Sequence, residues 1–98
     1  MALILNQMRL LVIGLFVFLS GFTKPIPRVL VYTKNGPGYV HDNIPAAVAC
    51  FQGLGKTHQI QVDVSDDPAV FAEANLAKYA VLIFTSTNND VFATDAQR

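Results

Sequence analysis

Residues 28–45, RVLVYTKNGPGYVHDNIP, constrain this chain more than any other stretch. Residues 29–32 are an unbroken aliphatic and aromatic run, the pattern of a strand buried on both faces in a parallel sheet. Asn35-Gly36 and Pro37-Gly38 follow, so the chain turns directly after the strand. Asp42 or Asn43 then offers a helix N-cap, and Pro45 suits the first helical turn. In an open α/β sheet, ligands bind beyond the carboxyl ends of the strands, where such a loop lies. This stretch therefore points to both the fold class and the place of a site.

The residues on either side agree with that frame. Pro25 and Pro27 restrict the backbone ahead of the strand and mark residues 24–27 as a linker. A helix is expected over residues 44–54, with Ile44, Ala47, Val48, Phe51 and Leu54 on its buried face. Gly53 and Gly55 are expected to end it, the latter as a left-handed cap. Residues 59–64, QIQVDV, alternate polar and apolar, as a half-exposed strand nearer the sheet edge does. Ser65-Asp66-Asp67-Pro68 reads as a second helix start, with a short helix over residues 70–76 that Asn75 weakens. Residues 80–84, AVLIF, form a third, fully apolar strand, and the polar loop TSTNND follows. Thr94 to Gln97 resemble the cap and first turn of one more helix. The order β-α-β-α-β argues for an open parallel α/β sheet with flanking helices. Three strands and two helices bury little surface, so the expectation is the amino-terminal part of a longer domain, or a chain that needs a partner. The apolar third strand would then favour self-association.

Residues 1–23 have a different character. Arg9 precedes the apolar run LLVIGLFVFL at residues 10–19, and Ser20, Gly21 and Thr23 follow. That is the layout of a secretory signal peptide. The run is short for a membrane span of roughly 20 apolar residues, although extension through Phe22 leaves an uncleaved anchor open. The expected location is secreted or periplasmic, with membrane attachment only through an uncleaved leader.

Beyond Thr23, six basic residues stand against seven acidic ones, six minus seven giving a formal charge of −1. The basic residues are scattered, which argues against a nucleic-acid surface. Cys50 is the only cysteine, so no intrachain disulfide forms, and it reads as a small, half-buried hydrophobe within the first helix. His41 and His58 should lie at opposite ends of that helix, and no cluster has metal-ligand spacing. No metal and no cofactor is expected.

Gly36-Pro37-Gly38-Tyr39-Val40-His41 invites comparison with the dinucleotide pattern G-x-G-x-x-G, with Asp63 as the ribose acid. His41 stands where the third glycine should, and the helix starts too late to meet a pyrophosphate. His41-Asp42 at a helix amino end is the more specific feature. His41 can act as a general acid or base or bind a ligand hydroxyl, while Asp42 orients backbone donors. The alternative is structural: Asp42 caps the helix and His41 packs over the glycine loop. In a parallel sheet, Thr33, Lys34, Ser86, Thr87 and Asn88 gather near these two residues. Together they suit a polar cleft that recognises hydroxyl groups.

The segments VLVYTKNGPGYVHDNIPAAVA, VDVSDDPAVFAEANLAKY and VLIFTSTNNDVF resemble the trehalose-utilisation (ThuA-like) family across residues 27–98. The family's His-Asp-Ser-Ile step reads His41-Asp42-Asn43-Ile44 here. The resemblance implies the three-layer α/β sandwich of the class I glutamine amidotransferase-like and flavodoxin-like folds. It also implies a role in sugar utilisation, with a small sugar or glycoside as ligand. A non-catalytic carbohydrate-binding or interaction module of the same fold is the alternative. His41 is the candidate catalytic residue, and Thr33, Lys34, His41, Asp42 and Ser86 are the candidate ligand contacts. Glutaminase activity is not implied, because Cys50 does not match the amidotransferase nucleophile position.

Overall fold

A computed structural model describes residues 24–98, so the leader expectation lies outside the described residues. Three parallel strands form one open sheet: β1 (Arg28–Tyr32), β2 (Gln61–Ser65) and β3 (Val81–Phe84), in the order β2-β1-β3. Helix α1 (Ile44–His58) joins β1 to β2, and the short helix α2 (Glu73–Leu76) precedes β3. This is the open α/β architecture expected, with flavodoxin-like strand order.

The central strand is the best buried of the three. Leu30, Val31 and Tyr32 are all nearly inaccessible. In β1, side chains alternate between the two sheet faces. Val29 and Val31 share one face with Val62 and Val64, their register partners on β2. Gly55 of α1 packs on that face, directly over Val62. Leu30 and Tyr32 share the other face with Leu82 and Phe84 of β3. There Tyr32 meets Phe71 edge-on at 4.7 Å between ring centroids, and Phe84 and Phe92 complete the cluster. The Tyr32 hydroxyl donates to the carbonyl of Val91, which satisfies the one polar atom of a buried ring. Burial pushes the Tyr32 phenol above its ordinary pKa.

Several boundaries differ from expectation. Helix α1 runs four residues past Leu54, through both glycines, to His58, and its left-handed cap is Gln59 (φ 55°, ψ 51°). Gly55 serves packing instead of termination: a Cβ there would lie 2.7 Å from the Ile60 carbonyl oxygen and 2.7 Å from Val62 Cγ2. Leu54 faces solvent, as does Cys50, which is therefore not a half-buried hydrophobe. At the amino end, Asn43 occupies the cap position but makes no side-chain capping bond. The expected helix over residues 70–76 is broken in two, a 3-10 turn (Pro68–Val70) and α2. Asp67 takes the capping role, accepting from the Ala69 N–H at 2.9 Å, and Asn75 Nδ2 ties the two pieces together by donating to the Val70 carbonyl at 2.8 Å. At the chain end, Asp95–Gln97 forms a 3-10 turn, where the Gln97 side chain accepts from the Thr94 N–H at 3.2 Å.

Strand β3 lies at an edge, and its Val81, Leu82 and Phe84 are each more than a third exposed. On β2, the opposite edge, Asp63 anchors a polar group. Arg28 donates to Asp63 Oδ2 at 2.7 Å and the Tyr79 hydroxyl donates to the same oxygen at 2.8 Å. The Arg28 guanidinium lies 5.4 Å from the Tyr79 ring centroid. The hydrogen bond from Arg28, then that from Tyr79, holds the Asp63 carboxyl below its ordinary value of 3.8. No helix among the described residues is long and apolar enough to cross a membrane.

Two predictions follow from these contacts. Helix propensity alone favours Ala over Gly by about 1 kcal/mol. Gly53→Ala meets open space and should stabilise by about 0.5–1 kcal/mol. Gly55→Ala meets backbone and should destabilise by about 1–3 kcal/mol, the range for overpacking. Urea midpoints of the two variants should therefore move in opposite directions, and a matched gain in both would refute the packing role. For Asp63, the depressed folded pKa makes its stabilising contribution complete above the ordinary carboxylate value. The contribution is lost as pH falls through the lower, folded value. Urea midpoints followed from pH 7 to pH 2 should thus drop less below about pH 4 in Asp63→Asn than in the parent. Parallel profiles would remove Asp63 from the acid response.

Candidate functional site

Because β1 and β2 are parallel and Tyr32 pairs with Ser65, the residues that follow each strand emerge side by side. Thr33 donates its N–H to the Ser65 carbonyl at 2.9 Å, and its hydroxyl reaches the same oxygen at 3.4 Å. Past this point the two segments diverge and a cleft of about 470 Å³ opens between them. Thr33, Lys34, Asn35, His41 and Asp42 line it from the first loop, with Val40 and the start of α1 at Ile44 and Pro45. Asp66, one residue beyond β2, lines the other side.

Thr33, Lys34, His41 and Asp42 are thus brought together, as the parallel topology requires. Ser86 is not: it follows β3, on the far side of β1, in a left-handed conformation (φ 49°), and it does not line this cleft. Asp66 was hidden by the run Ser65-Asp66-Asp67-Pro68, which resembles a helix start. Only Asp67 caps, leaving Asp66 at the carboxyl end of the strand beside β1. The signal that could have found it is the strand-end position itself.

The cleft can offer several kinds of contact. Lys34 supplies a cation, Asp42 and Asp66 supply carboxylates, and Thr33 and Asn35 supply neutral polar groups. Val40, Ile44 and Pro45 give it an apolar wall. Tyr39 meets His41 edge-on, with ring centroids 5.1 Å apart and planes at 89°. His41 is exposed and lines the cleft, and among the described residues its side chain makes no hydrogen bond. Metal ligation is a poor match: no group of three His, Cys, Asp or Glu among the described residues could hold an ion. Asp63, the residue that a nucleotide reading would use, is engaged by Arg28 and Tyr79 midway along the edge strand β2.

The loop carrying His41 is held by the loop after β3. Gly36 donates its N–H to the Asn88 carbonyl at 2.9 Å, and the Asn88 N–H donates to Asn35 Oδ1 at 3.1 Å. Asn88 Nδ2 donates to the Tyr39 carbonyl at 3.0 Å, and Asn89 Nδ2 to the Pro37 carbonyl at 2.7 Å. The approach is so close that a Cβ on Gly36 would lie 2.6 Å from the Asp90 carbonyl oxygen. Glycine is required there by the neighbouring backbone.

No curated protein and no solved structure matched the chain. A family model described as ThuA, trehalose utilisation, matches residues 28–98, a span that takes in all three strands, α1 and every residue of the cleft. By that match the chain belongs to the ThuA trehalose-utilisation family.

Proposed function

We propose that this protein is an exported sugar-utilisation domain that engages a small sugar or glycoside of the trehalose type in the cleft between the β1 loop and Asp66. The observation that carries this reading is the mixed lining of a cleft of about 470 Å³. That volume lies within the usual range of small-molecule sites, roughly 300–1,000 Å³. A sugar hydroxyl both donates and accepts, so it suits a site where Lys34, Asp42, Asp66 and Thr33 supply donors and acceptors together. The apolar wall of Val40, Ile44 and Pro45 suits the C–H face of a pyranose. The family's printed role in trehalose utilisation supports the same ligand class. The apolar leader at residues 10–19 supports export.

In the catalytic form of this reading, His41 moves a proton to or from a sugar oxygen at the cleft mouth. The second reading, a binding module without turnover, is favoured by one observation. No hydrogen bond orients the His41 imidazole among the described residues, whereas a general base is ordinarily held by a partner. Both forms share the binding step and part at His41.

Trehalose titrated calorimetrically into the full chain should bind, and Asp66→Ala should weaken the affinity by up to about tenfold. This is the loss of one net hydrogen bond of about 0.5–1.5 kcal/mol. His41→Ala separates the two forms. Turnover of a glycoside falling about 10²–10⁴-fold in a folded variant supports catalysis. Binding retained with no turnover in the parent supports the module. Absence of trehalose binding by the parent rejects both for this ligand.

A further inference from the structure

We infer that Asn88 is a positioning residue for the His41 cleft. It does not line the cleft, yet it makes three hydrogen bonds to the loop that does. Its N–H engages Asn35 Oδ1, its carbonyl accepts from Gly36, and its Nδ2 donates to the Tyr39 carbonyl. These bonds reach across 53, 52 and 49 residues of chain, and they grip the loop near its start, at Asn35 and Gly36, and near its middle, at Tyr39.

The third bond is the one with consequence for the site. Tyr39 is two residues before His41, and its ring is the aromatic neighbour of the imidazole, 5.1 Å away. The Asn88 side chain fixes the Tyr39 peptide, and the Tyr39 ring in turn limits where the imidazole can stand. Tyr39 and Val40 are both more than half exposed, so little packing holds this part of the loop otherwise. The amide is therefore, with the Asn89 bond to the Pro37 carbonyl, one of two side-chain restraints on the segment that delivers His41. Asn35 extends the same device into the site. It lines the cleft, and its side chain bridges the two loops, donating to the Thr33 carbonyl at 3.3 Å while accepting from Asn88.

Only the bond to Tyr39 depends on the Asn88 side chain, so substitution there removes one restraint and leaves the two backbone bonds. Asn88→Ala deletes the donor. Asn88→Asp keeps the shape but turns an acceptor toward the Tyr39 carbonyl. Asn75→Ala is the control, because Asn75 also donates an amide to a backbone carbonyl, that of Val70, away from the cleft.

This inference rests on the cleft being the ligand site, and two readouts separate the two ideas. In the ligand-free full chain, the His41 ring resonances should shift in both Asn88 variants and stay in place in Asn75→Ala. Trehalose affinity should fall about three- to tenfold in the Asn88 variants, the loss of one ordinary hydrogen bond's worth of preorganisation, and hold in the control. If the parent fails to bind trehalose, the sugar reading falls, while the positioning role still stands or falls on the His41 resonances. Folded Asn88 variants with parental His41 resonances overturn the inference. So does a failure of both variants to fold, which would assign Asn88 to maintaining the fold.

Discussion

The structure depends on the double pairing of β1. Among the described residues this strand alone has a neighbour on each side, and Leu30, Val31 and Tyr32 are nearly sealed from water. A strand covered on two edges and two faces must satisfy every backbone group internally and present apolar side chains in both directions. Residues 29–32 meet that demand without a polar interruption. The same pairing aligns the carboxyl ends of β1 and β2, and that alignment is what opens a cleft next to Thr33. Fold and site therefore have one origin in this chain.

What could be read from the residues alone follows from how local each signal is. Strands β1 and β3 were legible because four consecutive apolar residues, flanked by turn formers, admit few other structures. The alternation of residues 59–64 placed β2 near an edge for the same reason. The carboxyl end of α1 was not legible. Gly53 and Gly55 look like punctuation, but Gly55 is small because Ile60 and Val62 press against it, a contact that exists only after β2 has folded back. Cys50 and Leu54 were misjudged because α1 covers only part of a narrow sheet, so the apolar stripe expected of it is wider than the surface available.

The site divides in a similar way. Thr33, Lys34, His41 and Asp42 lie on one loop, and a loop after a central parallel strand is where a ligand is expected. Asp66 was obscured by a local motif whose capping role falls to its neighbour. Asn88 was placed near His41 by the parallel topology, but its bonding role, like that of Asn89, gave no local sign, since each bonds to a loop some fifty residues away. Such cross-loop contacts are set by the register of β1 with β3. Ser86 shows the converse: proximity along the sheet edge did not bring it into the cleft, because β3 lies across β1 from β2.

Among the described residues β3 has one neighbour, and that has a consequence for how the cleft behaves over time. A strand with one neighbour and exposed side chains opens locally at lower free energy than the strand at the sheet's centre. The loop that steadies Tyr39 is carried by that strand, so each fraying of β3 also releases the far side of the ligand loop. The population of clefts with both walls in place is then smaller than the population of folded molecules. Apparent affinity scales with that fraction. Anything that covers the edge of β3 would tighten ligand binding without touching the ligand.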